Sequence, residues 1–223
     1  MTVWPAVVLT LQLAALSTLI LIVIGVPLGW WLATTRARLR PVVETITTLP
    51  LVLPPTVLGF YLLVLFNPDA PLGGLWVAMT GQTLTFSFAG LVIASCLYSL
   101  PFAVQPIHTA FATVGRPTMA AAETLGASRF DAFRTIALPL ARRGILTAAV
   151  LTFAHTMGEF GVILMVGGNI PGETRVIAIE IFTAVETLDY RTAHILSAGL
   201  LVFSFLVLLL VYMLNGRGAR TLG

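Results

Sequence analysis

Two ionisable side chains, Glu159 and His155, stand in an apolar stretch late in the chain, where they could do chemistry. They are four residues apart and therefore share one face of a helix. An ionisable group inside a membrane-spanning segment is by default a functional candidate that faces protein and has a partner. Both residues are candidates for a translocation path or gate, and we interpret Glu159 as a gate or loop-anchoring residue paired with Arg175 or His155. The alternative for Glu159 is a structural role, and for His155 we favour a hydrogen-bonded interior histidine over a metal ligand.

The patterns that an enzyme would need are missing from the sequence. His-Glu-x-x-His does not occur, and the aspartates, Asp69, Asp131 and Asp189, all fall outside the apolar segments. The 12 basic residues are all arginine, whereas a phosphate-binding P-loop requires a lysine that reaches the terminal phosphates. The sequence therefore predicts a chain that is not an enzyme, binds no metal or cofactor and cannot itself hydrolyse ATP. If ATP drives its function, a separate subunit binds the ATP and Mg²⁺.

The composition is that of a membrane protein. Of the 223 residues, 58% are hydrophobic and 9% are charged, whereas soluble domains carry about 25% charged residues. A helix needs roughly 20 apolar residues to span a bilayer, and the segments that meet this length are 7–33, 46–66, 84–106, 144–166 and 192–214. A shorter apolar stretch, 176–185, predicts a partial helix at the outer surface. The predicted fold class is all-α, with about five transmembrane helices in a single domain over residues 1–223.

The arginines set the predicted orientation. If the spans alternate in direction, ten of the 12 arginines lie on one side of the membrane: Arg36, Arg38, Arg40, Arg116, Arg129, Arg134, Arg142, Arg143, Arg217 and Arg220. Cytoplasmic loops of membrane proteins are rich in basic residues. We therefore expect a multi-pass protein of the cytoplasmic or inner membrane, with its N-terminus outside and its C-terminus in the cytoplasm. The same rule explains the net charge of +3 without nucleic acid as a partner.

Two adjacent prolines, Pro54 and Pro55, interrupt the second apolar segment. They remove backbone donors and should kink or unwind the helix. Lipid cannot satisfy the freed carbonyl groups, so this backbone should face protein or a water-filled path. Both prolines are therefore candidates for a translocation path. The alternative is a kinked helix that only packs against its neighbours.

The loop between the third and fourth apolar segments, residues 115–140, predicts two short helices. An alanine run, 120–122, favours the first helix. Gly126 can adopt the left-handed conformation that ends it. The segment Ser128–Asp131 has the spacing of a capping box that opens the second helix, which Pro139 should end.

Phe130, Phe133 and Ile136 recur at helical spacing on the second of these helices. A short amphipathic helix on the cytoplasmic face needs a groove for its apolar side, and another protein can supply one. The alternative is that the stripe packs against the ends of the chain's own spans. The residues by themselves leave both interpretations open.

The 115–140 loop resembles the cytoplasmic signature loop of permease subunits of ATP-binding cassette (ABC) importers. That signature is Glu-Ala-Ala, three residues, Gly, nine residues, Ile, one residue, Leu-Pro. The matching positions are Ala121, Ala122, Gly126, Ile136, Leu138 and Pro139. Ala120 stands at the leading acidic position, and Glu123, one helical turn later, could partly replace that acid. The resemblance implies a type I permease fold in which the loop forms coupling helices that dock into a groove on an ATPase subunit.

Three further stretches, 49–55, 158–161 and 169–175, resemble the permeases of molybdate importers, a similarity that extends over essentially the whole chain. It implies ATP-driven import of molybdate by alternating access at the interface of a homodimer. The implied partners are two ABC ATPase subunits and an extracytoplasmic oxyanion-binding protein. Permeases for tungstate and for sulfate or thiosulfate share parts of these motifs and are the alternatives, as is a proton-coupled secondary transporter. No predicted span contains an arginine, so we expect the binding protein to select the ion.

The segment Asn169–Arg175 is rich in turn-forming residues and lies on the predicted outer side. It could contact the binding protein, line an outer gate or form an ordinary loop. Asn169 and Arg175 are its candidate residues for the path or gate. A guanidinium attracts an oxyanion, although the neighbouring Glu173 weakens its field.

Overall fold

The computed structural model describes residues 3–216, and every regular element in that range is helical. Arg217 and Arg220, two of the arginines behind the predicted orientation, lie outside the described residues. The α-helices in chain order are α1 (Trp4–Thr34), α2 (Arg40–Thr48), α3 (Pro55–Phe66), α4 (Pro71–Thr80), α5 (Phe88–Val114), α6 (Arg116–Thr124), α7 (Arg129–Ala132), α8 (Leu138–Met157), α9 (Gly161–Gly167), α10 (Ile177–Glu186) and α11 (Tyr190–Gly216). A 3₁₀ turn, Leu49–Leu51, follows α2, and a π-helical turn, Phe133–Ala137, joins α7 to α8. The predicted all-α fold class is confirmed.

The first and third crossings of the bundle, α1 and α5, run in the same direction. Leu13 and Leu91 share one buried cluster near the starts of these helices, and Gly29 lies against Ile107 near their ends. The chain between them must therefore return. It does so through α3, because Phe66 at the end of α3 is buried in a cluster with Leu84, which precedes α5.

The fourth and fifth crossings are α8 and α11. α8 begins beside the end of α5, where a Cβ on Gly144 would lie 2.3 Å from the Cβ of Ala110, and it runs back from there. α10, which precedes α11, is tied to the start of α1 by the N–H of Ile177, which donates to Thr10 Oγ1 at 2.8 Å. The described residues thus contain four helices long and apolar enough to cross a membrane, and the bent pair Arg40–Leu51 and Pro55–Phe66 brings the count to the predicted five if it forms one span. We call the end with residues 115–140 the loop end, and the end with α9, α10 and the start of α1 the cap end.

The second crossing is two helices, whereas the sequence predicted one span over 46–66. The helical segment Arg40–Leu51 and the helix Pro55–Phe66 meet at an angle of 109°. The break follows from the chemistry of Pro54 and Pro55, which lack the N–H donors that would continue the first helix. Pro55 instead begins α3, where a missing donor costs little. The predicted kink is therefore confirmed, and it is sharper than a bent helix.

The predicted fourth span, 144–166, is wrong at both ends. The helix begins earlier, at Leu138. The prediction excluded Arg142 and Arg143 because they are charged, but both lie on the first turns of α8 with exposed side chains. It ends earlier, at Met157, because a new helix opens at Gly161. The third span also runs past its predicted end at 106, since α5 accommodates two internal prolines and continues to Val114. The segments predicted at 7–33, 176–185 and 192–214 agree with α1, α10 and α11 to within a few residues.

Candidate functional site

The tip of the 115–140 loop folds as predicted. Gly126 separates α6 from α7 with a φ of 87°, and a Cβ there would meet nothing within 4 Å. The backbone conformation, and not a lack of space, therefore requires glycine at this position. Ser128 Oγ accepts a hydrogen bond from the N–H of Asp131 at 3.2 Å and opens α7. The two short helices and the capping pair are confirmed.

The apolar side chains of the loop divide between the inside and the outside of the molecule. The ring of Phe133 lies 5.2 Å from that of Trp30 and 5.9 Å from that of Phe111, centroid to centroid. Phe130 is 68% exposed, and Leu125 at the tip is 88% exposed. The interpretation that the stripe packs against the chain's own spans therefore holds for Phe133, and docking of the exposed residues on another protein stays a prediction. Phe133 anchors the loop to the chain's own spans, and Phe130 and Leu125 present an apolar surface outward.

Pro139 does not end the second helix, contrary to the prediction. The π turn Phe133–Ala137 carries α7 directly into α8, and Pro139 lies in the first turn of α8. The wider π turn leaves room for the proline ring, which would clash with a carbonyl inside a regular helix. Together with α7, the helix spans Arg129–Met157 as one continuous segment of 29 residues. The second short helix of the loop and the fourth crossing, whose first turn holds the half-buried Leu138, are therefore one structural element.

The alanines of the signature have different surroundings. Ala122 is buried, whereas Ala120 and Ala121 are exposed. The carboxylate of Glu123 lies 3.7 Å from the guanidinium of Arg129 and so has a partner within the loop. Whether Glu123 replaces the acid that Ala120 lacks stays a prediction.

A cavity of about 460 Å³ opens between α5 and α8 beside the 3₁₀ turn. Its lining is mainly apolar, with a few neutral polar groups: Leu51, Pro101, Phe102, Gln105, Pro106, Thr109, Ala110, Gly144, Thr147 and Leu151. Prolines inside a helix free backbone carbonyl groups, which within a membrane must face protein or water. The sequence interpretation missed this cavity, although the pair Pro101 and Pro106 in one apolar run was a signal for it.

The break at Pro54 and Pro55 lies between two helices that start side by side. A Cβ on Gly161, the first residue of α9, would lie 2.7 Å from the Cβ of Pro55. A Cβ on Gly59 would lie 2.7 Å from the Cβ of Met165, so α3 and α9 remain in close contact beyond their starts. Pro54 itself is exposed. The packing role thus holds for Pro55, and a place for both prolines on a translocation path stays a prediction.

Glu159 lies in the break between α8 and α9 and not within a span. It is 5% exposed, and its Oε1 accepts a hydrogen bond from the N–H of Val162 at 3.2 Å, which caps α9. Its Oε2 is buried and has no hydrogen-bond partner among the described residues. The predicted pairing with Arg175 or His155 is wrong, because both of those side chains bond elsewhere. A gate role for Glu159 stays a prediction.

His155 is held in the interior between α5 and α8. Its Nδ1 lies 3.0 Å from Ser99 Oγ, which is also 3.0 Å from Thr156 Oγ1. The imidazole stacks on Phe102 at a centroid distance of 3.9 Å. These contacts support the interior-histidine interpretation. The sequence did not single out Ser99, the polar residue of α5 that contacts His155.

The outer segment Asn169–Arg175 is bound to α10 by a polar network. Arg175 Nε donates to Asn169 Oδ1 at 2.5 Å, and its Nη1 lies 3.4 Å from Glu180 Oε2. Asn169 Nδ2 in turn donates to Thr183 Oγ1 at 3.0 Å. The Arg175 side chain is 17% exposed. Because the carboxylate of Glu180 lies 3.4 Å away, it balances the charge of Arg175 more than Glu173 does. Attraction of an oxyanion by Arg175 stays a prediction.

The sequence also matches a known protein family over most of its length. Residues 25–219 match the model of the family described as "Binding-protein-dependent transport system inner membrane component". This match includes the 115–140 loop, both halves of the broken second crossing and the Glu159 break.

Individual proteins with known names are also similar to this chain. The molybdenum transport system permease protein ModB of Azotobacter vinelandii is 54% identical over 207 residues, which cover 93% of this chain and 92% of that protein. ModB of Escherichia coli K12 is 38% identical over 184 residues, which cover 82% of this chain and 80% of that one. A chain in the crystal structure of a bacterial alginate ABC transporter, in complex with its pentasaccharide-bound periplasmic protein, matches with a TM-score of 0.75 at 17% identity, over 96% of this chain and 78% of that one. The last similarity shows a shared fold.

Proposed function

We propose that this chain, which belongs to the binding-protein-dependent transport system inner membrane component family, is the membrane-spanning permease subunit of an ATP-driven molybdate importer. The two relatives described above, which match over most of both chains, are named for molybdenum transport. Their names support molybdate over tungstate, sulfate or thiosulfate. Family membership also supports an inner-membrane, multi-pass location.

The exposed apolar tip of the 115–140 loop is the observation that carries the coupling part of the proposal. Phe130 projects from the helix that continues into α8, and Leu125 lies at the end of α6, just before Gly126. Both side chains are largely exposed. Large apolar side chains at the centre of an interface supply most of its binding energy. A groove on a separate ATPase subunit, which holds the ATP and Mg²⁺, would bury both side chains. Movement of that subunit would then turn or shift α8.

The ion moves by alternating access at the interface of two copies of the chain. The cavity between α5 and α8 is open on one side, and a second copy would close it. Its lining of prolines, threonines and Gln105 offers weak contacts, which allow an oxyanion to pass and leave. Tight selection of the ion belongs to an extracytoplasmic binding protein that docks at the cap end, where Asn169 and Arg175 lie. In this arrangement the loop end is cytoplasmic and the N-terminus is outside.

Reconstitution of the permease with its ATPase subunits and binding protein tests the proposal. We expect ATP hydrolysis to rise when the binding protein carries molybdate, and to rise less with tungstate or sulfate. The matched control is the ATPase subunit without the permease, which should not respond to the binding protein. Greater stimulation by the sulfate-loaded binding protein would overturn the assignment of molybdate and leave the permease assignment intact. Failure of an ATPase subunit to co-purify with the chain would instead favour a secondary transporter.

A further inference from the structure

A second cavity, of about 920 Å³, lies at the loop end and has no part in the proposed transport path. The end of α1, the connection to α2, the end of α5 and the helix α6 surround it. Its lining combines aromatic and basic side chains, which include Trp30, Trp31, Arg36, Arg40 and His108. Among the side chains that the structure describes, Arg129 and a single carboxylate, that of Glu123, complete its charged groups.

The cavity carries uncompensated positive charge. Arg40 Nε lies 2.8 Å from Glu44 Oε1, and Arg129 lies 3.7 Å from Glu123. Arg36 has no ion-pair partner among the side chains described between residues 3 and 213. Ala120, which lines the same cavity, contributes a methyl group and no charge. The site is therefore suited to a negatively charged ligand supplied from outside the chain.

The surface beside the cavity is apolar and continues along α1. Ile24, 48% exposed, precedes Trp31 by seven residues and so lies on the same side of the helix. Val23 beside it is 66% exposed. Tryptophan at the end of a spanning helix is typical of the headgroup level of a membrane. A ligand with a charged head and apolar chains would match the cavity and this strip together, whereas a free anion would use only the cavity.

We propose that the cavity at the loop end binds the phosphate of an anionic phospholipid headgroup. Arg36 is its main cation, Trp31 borders the headgroup, and the acyl chains follow Ile24 and Val23 along α1. Basic pockets between spanning helices on the cytoplasmic side bind anionic headgroups in this manner. The bound lipid connects the α1–α2 segment to α6 and thereby holds the 115–140 loop in place. The fraction of anionic lipid in the membrane would then change how firmly the 115–140 loop is held, whichever ion is transported.

Quenching of tryptophan fluorescence by brominated lipids tests this site in the full chain. Trp4 and Trp76 are first replaced by phenylalanine, so that the signal comes from Trp30 and Trp31. Vesicles of phosphatidylcholine then receive either brominated phosphatidylglycerol or brominated phosphatidylcholine. We expect phosphatidylglycerol to quench at the lower mole fraction. Arg36→Ala should reduce its relative affinity about fivefold, the effect of one basic group near an anionic headgroup.

Arg38→Ala is the matched control, because Arg38 is exposed two residues from Arg36 and does not line the cavity. We expect it to change the relative affinity by less than about twofold, the contribution of a screened surface charge. Equal losses for the two variants would overturn the proposal in favour of diffuse surface attraction. A saturable change in the fluorescence of these tryptophans when inorganic phosphate is added in detergent solution, without lipid, would assign the cavity to a free anion. Loss of ATPase-subunit binding in Arg36→Ala, with lipid quenching unchanged, would assign it to protein docking.

Discussion

The loop end and the cap end of the bundle both carry turn-rich connections, but their side chains find partners in different places. At the cap end, Asn169 and Arg175 bond to each other and to α10. At the loop end, Leu125 and Phe130 are largely exposed. The polar network of Asn169 and Arg175 is therefore complete within one chain, whereas Leu125 and Phe130 are left uncovered.

This difference shows that a conspicuous polar residue can be fully partnered within the chain while an unremarkable apolar residue is left exposed. Arg175 is prominent in the sequence, yet its charge is balanced by Glu180. Leu125 is unremarkable in the sequence, yet nothing in the described chain covers it. The variants below test the difference between the two ends.

The largest effect is expected at Gly126. Gly126→Val forces a β-branched residue into the left-handed region, which costs about 1–2 kcal/mol and displaces the loop tip. We expect stimulation of ATP hydrolysis by the loaded binding protein to fall to the basal rate, with normal membrane insertion. Gly81→Val is the matched control, since Gly81 has a φ of 72°, equal open space and a position outside the loop. Normal uptake by Gly126→Val would contradict the coupling role of the loop.

The next largest effects are expected at Phe130 and Phe133, which lie three residues apart but should differ in what their loss changes. Phe130→Ala removes an exposed side chain, so affinity for the ATPase subunit should fall about thirtyfold, as at an interface hot spot, with an unchanged unfolding temperature. Phe133→Ala removes the contacts with Trp30 and Phe111 and should cost about 3 kcal/mol of stability. Binding measured by pull-down titration and thermal unfolding in detergent check the pair. A lower unfolding temperature for Phe130→Ala, with unchanged binding, would show that the tip serves its own fold.

At the cap end, Glu159 can be tested for charge and capping separately. Glu159→Gln keeps an oxygen for the N–H of Val162 and removes the charge. We expect lower transport at normal expression and unchanged thermal stability if the carboxylate gates. Glu159→Ala also removes the cap and should lose about 1 kcal/mol of stability. Full transport by Glu159→Gln with normal expression would leave Glu159 as a cap and no more.

The smallest effect is expected at Arg175. A double-mutant cycle of Arg175→Ala and Glu180→Ala should give a coupling energy of about 0.5–1 kcal/mol, typical of a partly exposed ion pair. Because Glu180 balances the guanidinium, uptake should retain its KM for the loaded binding protein within about twofold in either variant. A much higher KM for Arg175→Ala alone would show that this end also holds a residue for the ion or the partner.

Much of the fold could be predicted from the sequence because helices in lipid must satisfy their own backbone groups. Long apolar runs therefore identified α1 and α11 directly, and the Pro54–Pro55 pair identified the broken crossing. The boundaries of α8 could not be predicted in this way. Arg142 and Arg143 extend from a helix into polar surroundings, and the start of α9 depends on the hydrogen bond that Glu159 makes once folded.

The candidate site was predictable where it depends on local backbone geometry. Gly126 and the capping pair at Ser128 and Asp131 followed from residue type and spacing, since each involves neighbours only a few residues apart. The division between Phe130 and Phe133 did not, because both occupy the same apolar stripe. Trp30, about a hundred residues earlier in the chain, decides which of them is buried.

The sequence by itself determined that this is a multi-pass helical membrane protein, that it contains no P-loop lysine, and that its 115–140 loop breaks at Gly126. These properties depend on composition and on short-range spacing. Tertiary structure alone decided the contact of His155 with Ser99, the burial of Glu159 and the basic cavity beside Arg36. These properties arise where distant helices meet, and side-chain hydrogen bonds and burial depend on which groups the packing brings within reach.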